Sequence, residues 1–288
     1  MIIATLIAAE GLSQRDISAA RDALGGAAAP RWIEAGIACD LELEVDIVTA
    51  RAALEGLLPG VDVVVQDDAD RVKRLLVADM DSTMITIECI DELADYAGIK
   101  AQIAEVTERA MRGELDFEAA LDARVALLKD LDAAAIDRCH AERVVIMPGA
   151  KALVRTLRAK GGRAVLVSGG FTVFADKVAA EIGFDRALSN VLGLADGRLT
   201  GTVARPIVGA QTKRETLIAE REALGLPASA TLAIGDGAND IPMIQEAGLG
   251  IAYHAKPKTA AAAGARIDQG DLTAVLYAMG IPRSDWTE

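Results

Sequence analysis

The sequence predicts an α/β fold in which a mostly parallel sheet is covered by helices on both faces, interrupted by a helical insertion and preceded by a small βαββαβ unit. Three observations carry this reading. The runs "LLVA" at 75–78, "RAVLV" at 163–167 and "TLAIG" at 231–235 are apolar without alternation, as strands buried on both faces are. Amphipathic helical stretches alternate with these runs, which implies parallel pairing. Before residue 71 the order is different: short strands and helices follow each other as βαββαβ, the ferredoxin-like pattern.

In that first unit, Ile2 to Ala8 reads as a strand and Ser13 to Leu24 as a helix. Two short strands lie within "RWIEAGIACDLELEV", followed by a helix from Ile47 to Leu57 and a strand from Val61 to Gln66. The acidic "QDDAD" at 66–70 reads as a linker. The apolar strand at 75–78 then stops on Asp79-Met80-Asp81. Residues 88–146 are almost wholly helical in pattern, and Pro148 and Gly149 end that stretch. The organisation expected is therefore residues 1–70 as one unit, 71–87 with 147–288 as the core, and 88–146 as a helical insertion.

Within the core, "GAKALVRTLRAKGG" is a helix with basic residues in its last turns and glycines beyond its end, as helix C-termini favour. "RAVLVSGG" is a strand and "FTVFADKVAAEIGF" a helix. "NVLGLADGRLTGTV" reads as a hairpin turning at Asp196-Gly197. "TKRETLIAEREALG" is a helix, and "TLAIGDGANDIPMIQEAG" a strand, glycine-rich turn and helix with Pro242 in its first turn. The alanine-rich "TAAAAGA" is the only low-complexity tract, and no repeat is found.

At 288 residues and 52% hydrophobic composition the chain can fill a sizeable core. A formal net charge of −13 and a pI near 4.7 exclude nonspecific nucleic-acid or anionic-membrane binding as a primary role. No apolar run approaches the ~20 residues of a membrane span. The first residues lack a basic region before their short apolar run, so a strand is expected there rather than a signal peptide, and the protein is expected in the cytoplasm. Cys39, Cys89 and Cys139 are widely spaced without a Cys-x-x-Cys pair, which argues against a disulfide framework or a zinc site. His140 and His254 fit no triad or metal pattern and read as structural.

The three apolar strands end in polar motifs: Asp79 and Asp81; Ser168-Gly169-Gly170; and Gly235-Asp236-Gly237-Ala238-Asn239-Asp240. Ligands of such sheets sit outside the carboxyl ends of the strands. If these strands are neighbours, up to four carboxylates, a hydroxyl and several backbone N–H groups meet at one edge. Taken alone, Asp-x-Asp-Ser also suits a turn or a helix cap. The combination suits a hard cation such as Mg2+, which takes oxygen ligands, and a phosphate, which takes N–H donors.

"DMDST", "SGG", Lys213 in "QTKRE" and "GDGAND" occur in an order and spacing that resemble the haloacid dehalogenase superfamily, and within it the phosphoserine phosphatases. The resemblance covers residues 74 to about 250 and implies a Rossmann-like core with a helical cap over 88–146. It implies that Asp79 is the nucleophile that becomes an aspartyl phosphate. Asp81 would protonate the leaving serine oxygen and then activate water. Mg2+ would be held by the carboxylates of Asp79 and Asp236 and the backbone carbonyl of Asp81. Ser168 and Gly169, with Gly170 in support, would hold the phosphoryl oxygens; Lys213 would neutralise their charge, and Asn239 and Asp240 would complete the site.

The same resemblance assigns Glu88, nine positions after Asp79, to the substrate ammonium and Arg124 to its carboxylate. Met111 and Phe117 would shield the closed site. Read without it, Arg124 is a surface helix charge and Glu88 a helix N-terminal charge. The implied activity is Mg2+-dependent hydrolysis of O-phospho-L-serine to L-serine and phosphate, the last step of serine biosynthesis. Alternatives are phosphoryl transfer to an alcohol such as homoserine and a noncatalytic phospho-ligand sensor; the sensor would be favoured by loss of Asp79 or Asp81, and both are present. Residues 1–70 resemble ACT-type regulatory domains, by element order alone, and a role only in dimerisation is equally compatible. A homodimer is expected.

Overall fold

A computed structural model of the chain describes residues 1–26, 29–112 and 114–288 apart from the side chain of Met111. The first elements are β1 (Ile2–Ile7), α1 (Gln14–Ala23), β2 (Arg31–Glu34), β3 (Ala38–Leu43), α2 (Ile47–Leu54) and β4 (Asp62–Asp67). Their strands form one antiparallel sheet in the order β2-β3-β1-β4. Leu6, Ile17, Leu41 and Leu54 are fully buried between that sheet and the two helices. Ser13 starts α1 with a reciprocal cap: its hydroxyl accepts from the Asp16 N–H, and the Asp16 carboxylate accepts from the Ser13 N–H.

Two boundaries differ from the sequence reading. Helix α2 stops at Leu54 rather than Leu57 because its capping residue, Glu55, adopts extended backbone. Strand β4 runs one residue past the expected end at Gln66, to Asp67, which the sequence assigns to a linker. Gln66 stays in the strand because its buried side chain donates to the carbonyl of Ala278, 2.7 Å away.

The rest of the chain continues with β5 (Leu75–Ala78) and then four helices, α3 (Cys89–Tyr96), α4 (Lys100–Met111), α5 (Phe117–Leu127) and α6 (Ala134–Arg143). It goes on through α7 (Ala150–Ala159), β6 (Arg163–Phe171), α8 (Thr172–Ile182), β7 (Arg186–Asn190), the hairpin β8 (Leu192–Ala195) and β9 (Arg198–Val203), and α9 (Ala210–Ala223). The last elements are β10 (Thr231–Gly235), α10 (Ile241–Glu246), β11 (Leu249–Tyr253), α11 (Pro257–Ala262), β12 (Ala265–Ile267) and α12 (Thr273–Ala278). A six-stranded parallel sheet runs β12-β11-β10-β5-β6-β7.

The central strand shows why apolar residues fill the runs without alternation. Leu76 and Ala78 point into one core cluster with Leu166 and Ile234. Leu75 and Val77 point into a second with Val165 and Ala233. Both faces are covered, so both sets of side chains are apolar. Strands β7, β11 and β12 go beyond the sequence reading. For β11 the cause is glycine: Gly248 and Gly250 look like turn signals, yet a Cβ at Gly250 would lie 2.0 Å from the Ile244 carbonyl oxygen, so close packing is what excludes larger residues there.

Candidate active site

Strand β5 lies between β10 and β6, so the three polar motifs are neighbours. The Asp79 N–H donates to the Ile234 carbonyl at 3.0 Å and carries the β5–β10 pairing one residue further. The chain then turns sharply, with the Met80 carbonyl accepting from the N–H groups of Thr83, Met84 and Ile85. That turn brings Asp81 back beside the start of α3, where its carboxylate accepts the Cys89 N–H at 3.2 Å. Thr83 donates its hydroxyl to Asp236 at 3.2 Å.

Lys213, on α9, is completely buried. Its ammonium lies 2.6 Å from Asp79 Oδ1 and 2.6 Å from Asp240 Oδ1. The other oxygen of Asp240 accepts the Gly237 N–H at 2.9 Å. Burial opposes the lysine's charge, but Asp240 and Asp79 outweigh it and hold its pKa above the ordinary lysine value. Burial and the Asp240 carboxylate raise Asp79 well above the usual carboxylate range, with Lys213 opposing them. Lys213 alone does not keep Asp79 ionised, because one ammonium is shared between two carboxylates. Burial and Glu88 push the Asp81 carboxyl up to about 7, and burial with Asp240 and Glu88 brings Asp236 to about 6.

Asp79, Asp236 and Asp240 present carboxylate oxygens within 4.8 Å of one another. Such an all-oxygen donor set, with three buried carboxylates against one buried ammonium, suits a hard divalent cation. Asp240 is the least available of the three, since both its oxygens already accept hydrogen bonds.

A cleft of about 320 Å3 opens above these groups. Asp79, Asp81 and Asp236 line it together with Asn239, Gly169 and Gly170. The helical segment supplies the facing side with Glu88, Phe117 and Arg124, flanked by Ile90 and Leu121. Glu88 accepts the Ser82 hydroxyl at 2.8 Å. Arg124 Nε donates to the Ala120 carbonyl at 3.3 Å, and its charge interacts with Asp91 and Glu88. Phe117 is 39% exposed and lies over Gly169 and Gly209.

The sequence-expected residues thus converge, in two tiers. Ser168, Lys213 and Asp240 are fully buried and lie outside the cleft lining. The "SGG" segment lies within β6, as the strand reading of "RAVLVSGG" expects, and the strand continues one residue further to Phe171. The Ser168 hydroxyl accepts the Gly170 N–H at 2.8 Å, and a Cβ on Gly170 would come within 2.9 Å of Asp81 Oδ2. Met111, expected to shield the site, ends α4, and its side chain lies outside the described part of the structure.

Three residues escaped the sequence reading. Thr83 sits in the quoted "DMDST" and its hydroxyl was a legible signal. Asn190 is buried and clamps two segments, donating to the carbonyls of Gly169 and Val208 and accepting the Val208 N–H; nothing local marks it. Lys256 lines the cleft from the loop after β11, a strand that the sequence hides.

The sequence profile of haloacid dehalogenase-like hydrolases matches residues 76–245. The chain is 45% identical over 245 residues to a phosphoserine phosphatase of Streptomyces coelicolor, an alignment covering 84% of this chain and 60% of that protein's length. It is 46% identical to a phosphoserine phosphatase of Polaromonas sp., over 70% of this chain and 88% of that one. Among solved structures, a HAD family hydrolase of Salmonella enterica serovar Typhi superposes with a TM-score of 0.87 at 28% identity, covering 97% of this chain and 99% of that one. A probable phosphoserine phosphatase of Vibrio cholerae gives 0.81 at 35% identity, covering 99% and 88%. Since the profile match runs from the strand that ends on Asp79 into the helix that follows Asp240, the chain belongs to the haloacid dehalogenase-like hydrolase family.

Proposed function

We propose that the protein is a divalent-metal-dependent phosphatase that hydrolyses O-phospho-L-serine to L-serine and phosphate. One observation carries the choice of substrate: Glu88 and Arg124 face the same cleft as Asp79 and Asp81. An amino acid bearing a phosphate presents an ammonium, a carboxylate and a phosphate, and the cleft offers an anion, a cation and a nucleophile. Arginine is well suited to the carboxylate because its fork can bind both oxygens. The similarity to proteins named phosphoserine phosphatases supports the same reading.

Asp79 attacks phosphorus, the bond to the serine oxygen breaks, and Asp81 delivers its proton to that oxygen. Serine leaves behind an aspartyl phosphate on Asp79. Asp81, now a carboxylate, takes a proton from water as the water attacks phosphorus, which frees Asp79 and phosphate. A carboxyl raised to about 7 by burial and Glu88 is suited to alternate between the two roles near neutral pH. Ser168, Gly169 and Gly170 position the phosphoryl oxygens, and Lys213 offsets their charge. Asn239 stands on the same side, and Phe117 covers Gly169.

Asp79, Asp236 and the Asp81 backbone carbonyl would hold the ion, Mg2+, which when bound cancels repulsion between the attacking carboxylate and the phosphate. Residues 88–146 would act as the cap that closes the site, and residues 1–70 as an ACT-like unit for dimerisation or amino-acid binding, in a cytoplasmic homodimer. The test is phosphate release from a panel of phosphorylated metabolites, with and without Mg2+. Phosphoserine should be the best substrate and activity should require the ion. Preference for a phosphosugar would refute the assignment of Glu88 and Arg124, and phosphoryl transfer to added homoserine in place of release would make the protein a phosphotransferase.

A further inference from the structure

The roles above leave one cation of the cleft unused, Lys256. A phosphomonoester carries roughly −1.5 to −2 charge at pH 7. Among the described residues, the lining carries four carboxylates, Asp79, Asp81, Glu88 and Asp236, and two cations, Arg124 and Lys256. Lys213 lies beneath, already paired with Asp79 and Asp240. If Arg124 takes the carboxylate end of the substrate, a single cation of the lining is left for the phosphate.

Lys256 is built to stand there. Its backbone N–H donates to the carbonyl of Asp236 at 3.3 Å, and its own carbonyl accepts from Thr259 and Ala260 at 3.0 Å each. Pro257 follows and disfavours helical backbone at Lys256, which has φ −62° and ψ 150°. The main chain is thus pinned at the cleft rim, while the side chain is exposed. No ion pair or hydrogen bond of its ammonium is found among the described residues. It enters the cleft from the loop after β11, tied by its main chain to Asp236, whereas Arg124 enters from α5 of the helical segment. The two cations therefore reach the cleft from different elements.

We propose that Lys256 is a substrate-binding residue that receives the phosphate end of the ester while Arg124 receives its carboxylate end. The inference rests on reading the cleft as a phosphomonoesterase site. Because the lysine is exposed and flexible, it acts mainly on capture and release, and its effect is sensitive to salt. It would also hold inorganic phosphate before departure.

The test compares K256M and K256R with the wild type, as full chains with Mg2+. p-Nitrophenyl phosphate is the reporter substrate and inorganic phosphate the competing ligand, with phosphoserine assayed in parallel. In K256M the inhibition constant for phosphate and the KM for phosphoserine should each rise about tenfold, equivalent to about 1.4 kcal/mol, with the loss appearing in KM rather than kcat. The decline of kcat/KM with added NaCl should be shallower in K256M, and K256R should restore most of the loss. Mg2+ affinity, read by calorimetry, should match the wild type. Unchanged phosphate inhibition and KM in K256M would overturn the proposal, as would a fall in Mg2+ affinity that parallels the loss, because the lysine would then act through Asp236. If the wild type hydrolyses the reporter but not phosphoserine, the substrate reading fails, and phosphate inhibition still decides the role of Lys256.

Discussion

Replacing Lys213 by methionine keeps most of the side-chain volume and removes the charge that faces two carboxylates. The ammonium is fully buried and 2.6 Å from each of Asp79 and Asp240. Removing one partner of a buried ion pair typically costs ~3–5 kcal/mol, because the remaining charge is stranded. Two carboxylates are stranded here, yet they can escape by binding protons, so the cost depends on pH. Lys213 is the only group that lowers Asp79 among its principal influences, and its loss raises that carboxyl further. A carboxyl whose folded pKa lies above its unfolded value makes the folded state bind more protons, so stability falls as pH rises through that interval. The penalty in K213M should be small near pH 4 and reach about 3–5 kcal/mol above neutrality. In the wild type the lysine's raised pKa keeps its contribution in place up to and beyond its ordinary value.

Urea unfolding at pH 4.5, 6 and 8, with metal chelated, measures this directly. Turnover supplies a second readout: a preorganised charge facing a transition state is worth on the order of 10²–10³ in kcat. A K213M protein whose loss of stability is independent of pH, or within 1 kcal/mol of wild type at pH 8, would refute the argument that the lysine's main structural role is to compensate Asp79 and Asp240.

Arg124→Ala should lower kcat/KM for phosphoserine by about 30-fold or more, the equivalent of ~2 kcal/mol, and affect p-nitrophenyl phosphate little; equal losses on both substrates would remove Arg124 from specificity. Asn190→Leu strands the Val208 N–H and the Gly169 and Val208 carbonyls, at ~1–3 kcal/mol for each buried group left unpaired, so its urea midpoint should fall and its KM rise as the Gly169 segment loosens. Chelating the divalent ion should lower the unfolding midpoint of the wild type, by ~2.7 kcal/mol where the ion had been present at 100 times its dissociation constant. No change on chelation would argue against an ion held by Asp79 and Asp236.

What the sequence made legible follows from how each feature is encoded. Strands β5, β6 and β10 were readable because burial on both faces leaves a continuous apolar run, and Asp79, Asp81, Asp236 and Asp240 were readable because carboxylates at the ends of such runs need a reason. Glu88 and Arg124 carry no such signal: each is an ordinary helix charge, and only resemblance singled them out. The residues that were missed lie where local signals mislead. Gly248 and Gly250 look like a turn, yet Gly248, just before β11, packs closely on the Ala228–Ser229 backbone and Gly250, within β11, on Ile244, so the loop after that strand, and Lys256 with it, went unread. Asn190 acts through Val208, eighteen residues on, and through Gly169, twenty-one residues back, separations at which sequence pattern is silent.

The relation of residues 1–70 to the core is likewise set by contacts far apart in sequence. Arg71 forks onto both oxygens of Asp40, at 2.7 and 2.6 Å, and donates Nε to the Ala278 carbonyl at 2.9 Å. Asp40 is 1% exposed and Arg71 8%, so each depends on the other for its charge to be tolerated. Asp62 accepts the backbone N–H groups of Asp268, Gln269 and Gly270, and Gln66 reaches the same Ala278 carbonyl as Arg71. Cutting the chain after residue 70 would remove Asp40, Asp62 and Gln66 together, so that the Arg71 guanidinium and the three N–H groups lose these partners and the surface packed against them is opened to water. Truncation therefore perturbs stability before it can report on regulation. Substitutions at exposed positions of the first unit, such as Trp32 on β2 or Val48 on α2, leave those contacts in place and are the better probe. The network also ties the first unit to two parts of the core at once, since Asp62 holds the loop after β12, the edge strand of the parallel sheet, and Arg71 holds the end of α12.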